Sequence, residues 1–90
     1  MQNWIITAMV NHDEGHTVTL IKQLDTDRAP CLVARECADR FEREHPSHRV
    51  LTAILIHGEH TMQELVDLSR RLDDLPPAQY QRFKFHDWED

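Results

Sequence analysis

Glycine and proline are scarce, at 2 and 4 residues in 90. The chain therefore has no room for a long flexible linker or a low-complexity segment. Cysteine is limited to Cys31 and Cys37. Six residues on a helix would place them about 9 Å apart along the axis and on different sides, beyond the reach of a disulfide. They do not form a CxxC pair, and two unpaired thiols fit a reducing cytoplasm. The opening stretch MQNWIITAMVNHD has no basic start, and its apolar run is too short for a signal peptide or a membrane span. Positive charge is also in short supply. Ten Lys and Arg stand against sixteen Asp and Glu, for a net charge of −6 and a pI near 5.5. That balance weighs against binding a phosphate backbone or an anionic membrane surface. It suits encounter with a basic protein surface.

Catalytic signatures are missing too. There is no Gly-rich phosphate loop and no GxSxG. The histidines show no HExxH spacing, and neither cysteine has a histidine nearby in sequence to act as its base. The expectation is a non-enzyme without cofactors: no nucleophile, base and orienting group come together.

What is present is a clear alternation of structural signals, consistent with one domain over residues 1–90. Residues 3–11, NWIITAMVN, are apolar on both alternating faces, as in a central strand. HDEG supplies turn chemistry at Asp13 and Gly15, and HTVTLIKQL alternates as a second strand, so the pair reads as a hairpin. DTDRAP starts a helix with Asp27 as its N-cap and Pro30 in the first turn. The helix runs to about Glu44, with Ala34, Cys37, Ala38 and Phe41 as its buried stripe. Glu36 with Arg40, and Asp39 with Arg43, are spaced as i,i+4 ion pairs. His45-Pro46 ends it. RVLTAILIH, residues 49–57, is the most apolar strand, with Val50, Ile54 and Ile56 expected on one face. A second helix is expected over about 62–74, stopped by Pro76-Pro77. Residues 75–90 form an aromatic, acidic tail in which QRFKFH can add a short fourth strand.

The stretch IHGEHTMQEL, residues 56–65, looks at first like a metal or catalytic site. Thr61 and Glu64 instead have the S/T-x-x-E spacing of a capping box, and Gly58 allows the sharp turn before it. The histidines leave one alternative, a metal site built from His12, His16, His45 and His48, which the topology places at one end of the sheet. His57 and His60 fall at the other end. Zinc requires three or four fixed ligands, so solvated loop histidines are the simpler expectation.

The order ββαβα(β) makes the chain an α+β two-layer sandwich, with an antiparallel sheet of order 2-1-3 and two helices on one face. That arrangement leaves a second sheet face carrying Ile5, Met9, Ile21, Leu51 and Leu55. A monomer rarely leaves such a patch open. Either the tail residues Tyr80, Phe83, Phe85 and Trp88 fold over it, or another chain does. The candidate interaction residues are therefore Ile5, Met9, Ile21, Leu51, Leu55, Phe83, Phe85 and Trp88, together with the free edge of the second or third strand. The hairpin–helix–Pro–strand order over residues 3–57 resembles in style many small accessory proteins of phages and mobile elements. Some of those inhibit host enzymes by binding them. The resemblance implies an inhibitor or adaptor that acts by protein–protein binding, with a second copy of the chain as its simplest partner.

Overall fold

The computed structural model describes residues 1–11 and 13–85, with Glu14 by its backbone alone. The strands are β1 (Gln2–Val10), β2 (Asp13–Leu24), β3 (His48–Ile56) and β4 (Tyr80–Lys84). The helices are α1 (Pro30–Glu44) and α2 (Met62–Ser69), with 3-10 turns at Leu72–Asp74 and Pro77–Gln79. All strand pairs are antiparallel, in the order β2-β1-β3-β4. The α+β class and the 2-1-3 order hold. The fourth strand expected in QRFKFH is present as Tyr80–Lys84, paired to β3; His86 lies outside the described residues.

β1 lies at the centre because it is apolar on both sides. Trp4, Ile6 and Ala8 enter one core cluster and Ile5 enters the other. A strand buried on both faces needs cover on both, and each face receives one helix. This corrects the expectation of two helices on one face. α1 lays Val33, Ala34, Cys37 and Ala38 against Trp4, Ala53 and Leu55. On the opposite face α2 lays Leu65 against Ile5, Ile54 and Ile56, helped by Leu68, Leu72 and Leu75.

The facial assignment of β3 also differs from simple alternation. Thr7 pairs with Thr52 but Ala8 pairs with Val50, so Leu51 is an extra residue, a β-bulge. A bulge inserts one residue and shifts the parity of everything beyond it. Val50 therefore shares its face with Ala53 and Leu55 rather than with Ile54 and Ile56.

Local signals set the helix ends, with one exception. Pro30 is the first residue of α1, where a missing N–H costs nothing. The N-cap is Ala29, without a side-chain bond, and not Asp27. The chain leaves α1 at His45, just before Pro46. α2 begins with the expected capping box. Thr61 Oγ1 accepts from the Glu64 N–H at 3.2 Å, and Glu64 Oε1 accepts from the Thr61 N–H at 3.3 Å. α2 is shorter than its periodicity suggests. It stops at Ser69, and Leu72 reaches the core from a 3-10 turn instead. Gly58 turns at φ 95°, a region where a side chain would be strained.

Candidate protein-docking edge and groove

β1, β3 and the two helices close the middle of the molecule, so the candidate interaction residues divide sharply. Ile5, Met9 and Leu55 are 0%, 2% and 6% exposed within a single chain. Ile21, Leu51, Phe83 and Phe85 are half-buried. The bulge and the opposed helices also split the expected patch: Leu55, Phe83 and Phe85 belong to the α1 side, and Ile5 and Ile21 to the α2 side. Among the described residues the aromatic tail does not lie across one face as a lid. Tyr80–Lys84 runs as an edge strand, with Phe83 5.8 Å from Trp4 and Tyr80 on the other face. Trp88 lies outside the described residues.

The histidines are similarly divided. His45 and His48 lie ring to ring at 5.4 Å, both packed against Phe41. His16 Nδ1 lies 2.7 Å from Asp13 Oδ2 in the hairpin. His12 lies outside the described residues. Among the described residues, no three metal-binding side chains converge on one point. At the other end of the sheet, His60 Nδ1 lies 3.4 Å from Glu64 and Nε2 lies 3.0 Å from the His57 carbonyl. The Thr61 backbone and hydroxyl, and then His60, hold the Glu64 carboxyl below the usual carboxylate range.

That end is closed by a polar lock. The buried Asn3 donates to the Gly58 carbonyl at 2.8 Å. Gln23 donates to Asn3 Oδ1 at 3.1 Å and to the His60 carbonyl at 2.7 Å. The lock fastens the last turn of β2 to the loop before α2. Further along β2 the surroundings open.

β2 is twelve residues long, and among the described residues its outer edge pairs with nothing. Its central residues Thr17, Val18 and Thr19 are exposed, Val18 at 39%. The run Thr17–Ile21 contains no charge and no proline. Edges of this kind offer a row of backbone donors and acceptors to any strand that arrives.

Beside the last residues of β2 lies a groove of about 450 Å³, bounded by Lys22 and Leu24 on one side and α1 on the other. It exists because α1 packs chiefly on β3, leaving the α1-facing side of β2 under-covered. Val18 pairs with Ala8, and Leu20 with Ile6, so both face the α1 side. Leu24 and Val33 supply the apolar lining and Cys37 is part of the floor. Burial pushes the Cys37 thiol up, while the Lys22 and Arg40 charges pull the other way.

The charge of the groove departs from that of the molecule. Lys22, Arg28, Arg40 and Arg43 line it against Asp25, Glu36 and Asp39, in a chain where acids outnumber bases by six. Arg28 grips Glu36 with two bonds of 2.5 Å. This raises the arginine and lowers the carboxyl from their ordinary values, chiefly through the hydrogen bond. It also replaces the expected Glu36–Arg40 pair. Among the described residues Lys22, Arg40 and Arg43 make no ion pair. The groove thus presents, among the described residues, three cations without a direct ion pair near the end of an open strand edge.

Of these residues, the sequence pointed only to the β2 edge as a whole. Arg40 and Arg43 were expected to pair within α1, and Lys22 carried no signal. The uncharged run Thr17–Ile21 was the available clue. No protein-family model, no curated protein and no solved structure matches the chain.

Proposed function

We propose that this chain works by binding another protein, as an inhibitor or adaptor, and that it does so through the free edge of β2. One observation carries the reading: among the described residues the sheet has two edges, and only the long one is left unguarded. β4 is five residues long and bears Arg82 and Lys84. A short edge with alternating charge is how proteins discourage strand addition. β2 has neither protection between Thr17 and Ile21. The reading assigns the chain no catalytic role. The one thiol in the groove is held toward its protonated form, which weakens it as a nucleophile. The unpaired cysteines support placing the chain in a reducing cytoplasm. No helix among the described residues is long and apolar enough to cross a membrane.

A photo-crosslinking side chain placed at Thr19 or at Gln81, in the full chain expressed in its own cell, tests this. A protein adduct at Thr19 and none at Gln81 is expected, and its mass separates a second copy from a different partner. Adducts at Gln81 alone, or at neither position, would overturn the reading.

A further inference from the structure

We infer that the occupant of the β2 edge is an extended, carboxylate-bearing segment of a different protein, added as a fifth strand with its acidic side chains over the α1 groove. The inference rests on the protein-binding reading and narrows it to a partner chemistry.

Three features converge on this occupant. The free edge of β2 supplies backbone donors and acceptors to an extended chain, which is how strand addition gains affinity. In such a strand alternate side chains point to one face, so every second residue of the guest stands on the α1 side, over Val18, Leu20 and Lys22. At the Lys22 end of that row Arg40 and Arg43 line the same groove, exposed and without ion pairs among the described residues. Carboxylates at alternate positions of the guest meet Lys22, Arg40 and Arg43 in turn. Guanidinium groups bind carboxylates with paired, charge-assisted hydrogen bonds, so the arginines select both the charge and the spacing of the guest.

The charge pattern also decides against other occupants. A phosphate backbone carries a charge at every residue, so it would set charges against Asp25 and Asp39 as well as against the cations, in the field of a molecule at −6. A peptide strand with carboxylates at alternate positions sets fewer charges against the same field. A guest strand from a second copy of β2 would carry carboxylates only at its start, Asp13 and Glu14, and Asp13 is already engaged by the Gly15 N–H and by His16. The net charge of the chain suggests a basic partner surface; the groove selects an acidic segment within whatever partner it meets.

The test uses two labelled peptides, Thr-Glu-Val-Glu-Thr-Glu-Val and its counterpart with Lys in place of Glu, titrated by fluorescence anisotropy against the full chain. The acidic peptide is expected to bind at least tenfold tighter than the lysine peptide at low salt. The preference should shrink as salt rises, and reverse in the double variant Arg40→Glu/Arg43→Glu. Lys22→Glu, a second and independent variant, should weaken the acidic peptide alone. Circular dichroism checks that each variant folds. Equal binding of the two peptides, an unchanged preference in both variants, or tighter binding of a heptathymidylate than of the acidic peptide would overturn the inference. So would a concentration-dependent dimer abolished by Thr19→Lys, which would give the edge to a second copy. Loss of the charge preference with the Thr19 adduct retained would leave the protein-binding reading standing. Loss of both would remove both.

Discussion

The two edges of the sheet are built to opposite rules. β4 is short, and Phe83 pins it by stacking on Trp4 at 5.8 Å. Its outward course carries Arg82 and Lys84, and Arg82 sits 5.8 Å over the Tyr80 ring. β2 is more than twice as long, uncharged in its middle, and flanked by a groove instead of a cover. An edge left open in a folded protein is a hazard unless something uses it. The difference teaches where to look for function in a chain without catalytic signatures. The informative surface is the place where an ordinary protection is missing.

Breaking the guarded edge should give the largest effect. Phe83→Ala removes the aromatic anchor of β4 and should cost about 2–4 kcal/mol in a denaturant titration, less than for a fully buried ring. It should also free the edge of β3, making the variant prone to self-association in sedimentation. A loss below about 1 kcal/mol would mean that β4 is held by something other than Phe83.

Sharpening the comparison means loosening the end of β2 that is locked. Gln23→Ala leaves the buried Asn3 side-chain Oδ1 without its donor and should cost about 1–3 kcal/mol. Amide exchange should then speed up at Gln23 and Leu24 before it does at β1. Thr61→Ala breaks the capping box on the same loop and should cost about 1 kcal/mol, measured the same way. The box also carries a pH signature. Glu64 is held below the usual carboxylate range in the folded chain, so its contribution is present above the unfolded value and lost as pH falls through the lowered one. Glu64→Gln should flatten that acid limb of the stability curve; an unchanged limb would contradict the assignment. The smallest stability change belongs to Thr19→Glu. Thr19 is exposed, so the substitution should stay within about 0.5 kcal/mol of the parent while weakening the acidic peptide through like-charge repulsion across the new strand pair. A variant that keeps full binding would show that the edge is not the docking site.

Much of the architecture can be read from residue order. NWIITAMVN is apolar on both sides and therefore central, the capping box announces α2, and the alternation of QRFKFH yields β4. The placement of the helices cannot be read that way. It depends on which face each strand residue takes, and the bulge at Leu51 reverses that parity without any Gly or Pro to mark it. Once Val50 turns toward α1, Leu55 is buried with it and the supposed open face disappears beneath α2. The groove was hidden for a related reason. Glu36 and Arg40 have ideal helix spacing, yet Arg28 arrives from the preceding loop and takes Glu36 for itself. Arg40 is left without a direct ion pair among the described residues by a contact that no local pattern encodes.

The central claim is that β2 is an open edge and β4 a closed one. Residue-resolved amide hydrogen exchange on the full chain, with and without the acidic peptide, tests it most directly. The account expects alternate amides of Thr17–Leu24 to exchange freely in the unliganded chain, to become protected when the peptide is added, and no change along Tyr80–Lys84. Amides already protected along the whole of Thr17–Leu24 in the dilute, unliganded chain, or new protection on β4 instead, would contradict it.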